Sequence, residues 1–119
     1  MLIIGENIHI ISPRVKEAIE ARDAKFIQTL ALKQVKAGAG ILDLNIGPQK
    51  KRGVEIMPWM VETVQAVTDT PLSLDTTNVA AMEAGLQACK KPALLNSASA
   101  DPARLDPVME LAAKYNASV

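Results

Sequence analysis

Residues 38–48 read GAGILDLNIGP, and this stretch indicates the fold of the chain. Residues 41–46 alternate apolar side chains with Asp43 and Asn45 and predict a short strand, which the turn signal Gly47-Pro48 ends. Asp43 and Asn45 stand two positions apart, so a strand places both side chains on one face. The stretch therefore predicts a buried strand that carries polar groups near its carboxyl end.

Similar strands are predicted on both sides of this one, at residues 2–4, 71–75 and 92–96, and a fifth begins at 117–119. Apolar residues at helical spacing separate the strands. Ser12-Pro13, Asp23 and Asp101-Pro102 are helix start signals, whereas Gly38 and Asn116 suit left-handed helix ends. Pro58 is expected in the first turn of its helix. The helical stripes are Val15, Ala18, Ile19; Phe26, Ile27, Leu30, Ala31, Val35; Met57, Met60, Val61, Val64, Val67; Ala81, Met82, Leu86, Cys89; and Leu105, Val108, Met109, Ala112.

Strands that are apolar on both faces and alternate with helices predict an α/β fold with a parallel sheet. Two architectures fit: an open doubly wound sheet, or the (β/α)8 barrel, which takes roughly 250 residues. No G-x-G-x-x-G follows the first strand, and a fifth strand begins at the end of the chain. We expect residues 1–119 to be the N-terminal half of a barrel domain.

The composition excludes several classes of protein. The 119 residues carry 13 basic and 13 acidic side chains, and only Phe26, Trp59 and Tyr115 are aromatic. Neither an electrostatic footprint for nucleic acid nor a stacking platform is present. No apolar run approaches the roughly 18–20 residues of a membrane span, and residues 1–4 lack the flanks of a secretory signal. Cys89 stands alone, which excludes an internal disulfide and suits a reducing cytoplasm.

Polar residues at the strand ends are the candidate site, because the carboxyl ends of parallel strands meet on the ligand-binding face. They are Glu6 and Asn7, Asp43 and Asn45, Asp75 with Thr76 to Asn78, and Asn96 with Ser97. Carboxylates and carboxamides can bind a planar, neutral heterocycle through paired hydrogen bonds. No lysine ends a strand, and no serine or cysteine has an evident base in reach, so Schiff-base and nucleophilic chemistry have no candidate residue.

Each of these residues also has a structural interpretation. Asp75 could cap or brace the next helix, Asn96 could bind loop backbone, and Asp43 with Asn45 could organise the mouth of the barrel without contacting a ligand. Glu6, Asp43 and Asp75 could instead hold magnesium, although we expect no metal. His9 is expected in a loop or on the surface. Cys89 and the methionines are expected in the core, and Trp59 between a helix and the sheet.

Four stretches, at residues 2–8, 38–48, 72–78 and 93–97, together resemble the pterin-binding methyltransferases over essentially the whole chain. The closest resemblance is to the methyltetrahydrofolate:corrinoid methyltransferases. It implies a barrel that binds pterin in its C-terminal mouth, with Asp75 and Asn96 on the pyrimidine side. Asp43, Asn45 and Gly47 match the second-strand motif. Glu6 and Asn7 match the first, although the family more commonly has arginine at the seventh position. Thr76, Asn78 and Ser97 would help to shape the pocket.

The resemblance also implies an activity: transfer of the methyl group of methyltetrahydrofolate to the cobalt of a corrinoid carried by a partner protein, in a homodimeric cytoplasmic enzyme. In the family a further acidic pterin ligand and the amide near the methyl-bearing nitrogen come from later strands, so these residues are expected outside the 119, and the chain alone should be inactive. Two alternatives remain. One is a condensation of the dihydropteroate synthase type. The other is a non-catalytic half-barrel that binds pterin or a corrinoid protein and pairs into a dimer.

Overall fold

Four parallel strands form one sheet in the order β1-β2-β3-β4. The computed structural model describes residues 4–9, 12–47, 49, 51–96 and 102–118. The strand order follows the chain without reversal, whereas a doubly wound sheet has a switch point. The elements are β1 (Ile4–His9), α1 (Pro13–Ala21), α2 (Ala24–Lys36), β2 (Ile41–Asn45), α3 (Gly53–Gln65), β3 (Leu72–Asp75), α4 (Val79–Ala88), β4 (Leu94–Asn96) and α5 (Pro102–Tyr115).

The two faces of the sheet have different chemistry. Leu42, Leu44, Leu74 and Leu95 are buried and belong to the hydrophobic core that includes Met57 of α3. Strand side chains alternate between faces, so the residues between these leucines point to the opposite side. That opposite face carries Asp43 and Ser73 side by side. Two residues nearer the carboxyl ends of the strands, it carries the polar row Asn45, Asp75 and Asn96. The α/β class with parallel strands and crossover helices is confirmed.

Strand β1 differs from its prediction. It runs from Ile4 to His9, so Gly5 lies inside it, not at its end. A Cβ at Gly5 would lie 2.1 Å from Oε1 of Gln34, a buried residue of α2, which explains why glycine occurs within this strand. Between Gly5 and Ile8 the pairing with β2 shifts by one residue. Glu6 and Asn7 therefore lie within the strand at this irregularity, and the expectation that they follow it is wrong.

The helix signals are mostly confirmed. Asp23 accepts a hydrogen bond from the backbone N–H of Phe26, and Gly38 and Asn116 have φ of 104° and 54°. Pro58 is the exception, because α3 begins at Gly53 and the proline lies in its second turn. The carbonyl of Val54 loses its helical partner there, and since Val54 is 52% exposed, solvent can replace that bond.

Two predictions about the core need correction. Met109 is 51% exposed, and Leu111 takes the inward position in its place, beside Val108 and Ala112, which are buried as predicted. Cys89 is half-buried at the C-terminal end of α4, outside the fully buried core. Trp59 is half-buried against the core as expected, and the Arg22 guanidinium lies 5.5 Å from its ring centroid.

The C-terminal end of the described chain adds to the sheet. Ser118 forms a parallel bridge with Leu94: its N–H donates to the carbonyl of Ala93, and its own carbonyl accepts from the N–H of Leu95. This pairing agrees with the predicted start of a fifth strand next to β4, although Val119 lies outside the described residues. Within the described part of the chain, none of the helices has the length and apolarity to span a membrane.

Candidate ligand-binding site

A row of strand-end residues lies across the carboxyl edge of the sheet. His9, Asn45, Asp75 and Asn96 are in register on four neighbouring strands. Parallel pairing brings in-register residues of adjacent strands to about 4.8 Å from each other. Asn45, Asp75 and Asn96, which are 21 to 51 positions apart in the sequence, therefore form one continuous polar surface.

Asp75 is the centre of this surface. Its Oδ2 accepts hydrogen bonds from Nδ2 of Asn45 at 3.1 Å and from Nδ2 of Asn96 at 3.4 Å. The start of α4 is capped by a different residue, Asn78, so the interpretation of Asp75 as the helix cap is wrong. The sheet register brings Asp75 next to Asn45 and Asn96 on its neighbouring strands.

Asn96 connects Asp75 with Asp43. Its Nδ2 also donates to Oδ1 of Asp43 at 3.3 Å, so this amide nitrogen lies between two carboxylates. The partners of Nδ2 are side chains of two other strands, and not loop backbone as the alternative interpretation had it. With both amide protons directed at the carboxylates, the remaining polar atom of Asn96 is its Oδ1, which can only accept.

Asn45 and Gly47 shape the loop after β2. The Asn45 side chain accepts from the N–H of Gly47 at 2.9 Å while its amide donates to Asp75. Gly47 has a φ of 67°, which disfavours other residues. Asn45 thus acts on the loop and on Asp75 at once, and Asp43, which is 3% exposed, acts on Asn96. These contacts fit the interpretation of both residues as organisers of the mouth.

Thr76 and Asn78 join two loops. The Thr76 hydroxyl donates to the carbonyl of Gly47 and accepts from the N–H of Asn78. Asn78 caps α4 by accepting from the N–H of Ala81, and its amide donates to the carbonyl of Gln49. The β3–α4 loop is therefore fastened to the β2–α3 loop. Both residues support the site, and neither is in the polar row.

Several predicted residues cannot be placed at the site by their side chains. Glu6 and Asn7 belong to β1 by their backbone, while their side chains lie outside the described part. Ser97 also lies outside the described residues. Among the groups that are described, none combines three acidic, histidine or cysteine side chains in a way that could hold a metal ion.

Sequence reasoning missed two residues. His9 was assigned to a loop or the surface, but its backbone ends β1 in register with Asn45. Ser73 was not singled out, yet it is fully buried next to Asp43, with a hydroxyl that has no hydrogen-bond partner. For Ser73 a signal existed, since it precedes Asp75 by two residues and must share its face. For His9 no such signal was available, because Gly5 predicts the end of the first strand, whereas the strand continues through it to His9.

The chemistry of the row is dominated by hydrogen-bond acceptors. The Asp75 carboxylate and the Asn96 Oδ1 both accept, and the acidic Asp43 lies directly beneath them. A ligand that fits this surface presents several N–H groups on a planar edge, as amino-substituted heterocycles do. The site can therefore bind and orient such a ring.

Comparison with known proteins identifies the family. Residues 12–119 match the model of a family described as pterin binding enzyme. The chain is 37% identical over 111 residues to the methylcorrinoid:tetrahydrofolate methyltransferase of Eubacterium limosum, covering 93% of this chain and 41% of that protein. It is 29% identical over 125 residues to methionine synthase of Mycobacterium leprae (strain TN) and 27% to that of Mycobacterium tuberculosis (strain ATCC 25618 / H37Rv), covering all of this chain and 10% of each synthase.

The chain thus spans less than half the length of the first relative and a tenth of the other two. The family match includes β2, β3 and β4, and with them Asp43, Asn45, Asp75 and Asn96. The chain belongs to the pterin binding enzyme family.

Proposed function

We propose that residues 1–119 supply the N-terminal half of a (β/α)8 barrel whose polar row binds the pyrimidine side of a tetrahydrofolate. The observation that carries the proposal is the convergence of Asn45, Asp75 and Asn96 on one edge of the sheet, with Asp75 and Asn96 in contact. The unreversed strand order supports the barrel, because right-handed crossovers then place every helix on the same side.

The ligand chemistry follows from the acceptors. The pyrimidine side of a pterin presents an exocyclic amine and ring N–H groups. We assign Asp75 to accept from two of these, and the Asn96 Oδ1 to accept from a third. Asp43 and Asn45 act as positioning residues for Asn96 and Asp75. Asp75 or Asn96 left unpaired beneath a bound ring would cost free energy, and this cost would make the site reject rings without the matching N–H pattern.

The reaction we propose is methyl transfer between N5 of a tetrahydrofolate and the cobalt of a corrinoid carried by a partner protein. The name of the Eubacterium limosum relative gives the direction from methylcorrinoid to tetrahydrofolate, whereas the sequence led us to expect the opposite one. The same pterin contacts serve both directions, since both pterins have the same pyrimidine edge. The corrinoid supplies the metal that exchanges the methyl group.

The difficult part of the reaction lies at N5. A tertiary amine leaves poorly, so a proton or a strong hydrogen bond must reach N5 as its bond to the methyl group breaks. Asp75 and Asn96 orient the ring from its pyrimidine side and do not supply this proton. We therefore place the catalytic acid outside residues 1–119, and expect no methyl transfer by these residues alone. Turnover by the purified 119-residue chain with a methylated corrinoid protein and tetrahydrofolate would contradict this.

Calorimetric titration with methyltetrahydrofolate and with tetrahydrofolate tests the site. Asp75→Ala and Asn96→Ala should each lower the affinity for both pterins by about 10-fold or more, as expected for lost hydrogen bonds to a carboxylate or to an amide that the bound ring covers. Asp69→Ala is the matched control, because Asp69 is an exposed acid before β3, at the opposite end of the strand. Equal affinities of wild type and Asp75→Ala would remove Asp75 from the pocket.

A homodimer and a cytoplasmic location complete the proposal. Lone Cys89 suits a reducing compartment. Sedimentation velocity of the protein as its gene encodes it checks the dimer, and a single monomeric species at micromolar concentration would refute that part.

A further inference from the structure

Ser73 is a residue of the polar face whose chemistry the proposed site leaves unused. It lies in the middle of β3, two residues before Asp75 and on the same face. The residue is 0% exposed, and its Oγ has no hydrogen-bond partner. A buried hydroxyl without a partner costs free energy comparable to a lost hydrogen bond. Serine at this position therefore requires an explanation that packing does not provide.

Asp43 is the neighbour of Ser73 across the sheet. The two residues are in register on β2 and β3, which brings their Cα atoms to about 4.8 Å and their side chains to the same face. Asp43 is itself 3% exposed. A serine side chain has three staggered χ1 positions, so rotation of one bond can bring the hydroxyl within reach of the adjacent carboxylate.

The donor that Asp43 has in this structure is weak and shared. Nδ2 of Asn96 lies 3.3 Å from Asp43 and 3.4 Å from Asp75, both longer than the common N–H···O distance of about 2.9–3.0 Å. A ligand that engages Oδ1 of Asn96 acts on the same amide group, so a small rotation of this group would lengthen its bond to Asp43 further. A buried carboxylate that loses a donor must gain another one.

We propose that Ser73 is a positioning residue that donates a hydrogen bond to Asp43 when a ligand engages Asn96. The inference rests on the proposed function only in taking a pterin as that ligand. Without ligand, the Ser73 hydroxyl is unpaired and Asn96 holds Asp43. With ligand, Ser73 replaces Asn96 as the donor to Asp43, which frees the Asn96 amide to adjust without leaving a buried carboxylate unpaired.

The test compares wild type with Ser73→Ala, using the protein as its gene encodes it. We expect tetrahydrofolate affinity, measured by calorimetry, to fall by about 10-fold, the loss of one hydrogen bond to a charged acceptor. The melting temperature without ligand should stay unchanged or rise, because the substitution removes a hydroxyl that has no partner in that state. If Ser73 only supported the fold, its substitution would lower the affinity and the melting temperature together.

Asp43→Asn supplies the second arm, because a neutral amide has less need of a donor. In that background Ser73→Ala should change the affinity less than 3-fold. Ser12→Ala is the matched control, since the Ser12 side chain makes no capping hydrogen bond at the start of α1, and it should leave both measurements unchanged.

Three results would overturn the inference. One is wild-type affinity in Ser73→Ala. Another is the same 10-fold loss with and without the Asp43 carboxylate. The third is a melting temperature that falls in step with affinity. If the wild-type protein itself binds no tetrahydrofolate, the proposed function fails as well, and that outcome is distinct from a wild type that binds and a variant that binds equally.

Discussion

At the scale of single residues, the site depends on amide side chains that act in two directions. Asn45 donates to Asp75 and accepts from the loop backbone at Gly47. Asn78 accepts from the N–H of Ala81 and donates to the carbonyl of Gln49. A carboxamide has both a donor and an acceptor, whereas an aspartate can only accept. Another polar residue that lacks either the donor or the acceptor could therefore not make both hydrogen bonds of these asparagines.

Asn78 permits a test of this point. Asn78→Asp keeps the acceptor that caps α4 and loses the donor to Gln49, while Asn78→Ala loses both. We expect Asn78→Ala to lower the free energy of unfolding by about 1–2 kcal/mol, the usual cost of a lost cap, and Asn78→Asp to lower it by less. Urea denaturation of both variants measures the difference. Equal losses in Asn78→Asp and Asn78→Ala would mean that the bond between the loops, and not the cap, stabilises this region.

Cys89 gives a prediction about pH. Burial raises the pKa of its thiol to about 11 from 9.0. At pH 8 the native protein should hold on the order of a hundredth of the thiolate of an unshifted cysteine, so Ellman's reagent should react slowly with it. Because the native pKa lies above the unfolded one, this contribution to stability is complete below pH 9 and is lost as the pH rises toward 11. Cys89→Ala should lack that component of the alkaline decline, and an identical decline in both proteins would contradict the assignment.

At the scale of elements, the close contact of α3 and α4 holds the loops that carry the site. Gly85 of α4 allows this approach, because a Cβ there would lie 2.5 Å from Cγ of Met57 and 3.0 Å from Cδ1 of Leu74. Gly53 has the same role where α3 and α4 begin, because a Cβ at Gly53 would lie 2.7 Å from Nδ2 of Asn78. The asparagine that caps α4 thus packs against the first residue of α3.

Gly85→Ala tests whether packing outweighs helix propensity. At an exposed position in a helix this change would stabilise by about 1 kcal/mol, whereas here we expect a loss of about 1–3 kcal/mol from overpacking. The double variant Gly85→Ala/Met57→Ala should lose less than the sum of the single changes, since the shorter side chain removes the clash. Thermal unfolding measures all three. Additive losses would show that a clash with the Met57 side chain is not what destabilises Gly85→Ala.

At the scale of the whole molecule, stability is concentrated in the middle of the sheet. Strands β2 and β3 have a neighbour on both sides, and their leucines pack in the core with α3 and α4. Strand β4 has three residues, and Ser118 adds a single bridge beyond it. The site extends from the stable centre to this short strand, because Asp75 ends β3 and Asn96 ends β4.

Hydrogen exchange should show this gradient. We expect the backbone amides of Leu44 and Leu74 to exchange most slowly, and those of Leu95 and Ser118 markedly faster, since fewer buried contacts must open around them. Mass spectrometry of peptic fragments resolves the two regions. A bound tetrahydrofolate should slow exchange in β4 more than in β2 if Asn96 contacts it. Uniform protection of all strands would contradict a stable centre with a weaker edge.

Much of this molecule could be predicted from the sequence. The alternation of short apolar runs with helical stripes predicted parallel strands and crossover helices, because each element must bury its own apolar face. The period of two along a strand placed Asp43 with Asn45, and the strand-end motifs pointed to a pterin family that the comparison confirmed. The strands, helices and shared faces needed only local rules of geometry, whereas the family came from the resemblance of the strand-end motifs.

Tertiary structure decided the rest. The sequence does not show that Asn96 donates to an aspartate 53 residues away, since this contact depends on the register of three strands. Nor does it show that β1 continues through Gly5, because the reason is Gln34 of a helix that packs there. Ser73 changes from an ordinary strand residue to an unpaired buried hydroxyl only when its neighbours are in place. Local periodicity determines which side chains share a face, and packing between distant elements determines what those side chains contact.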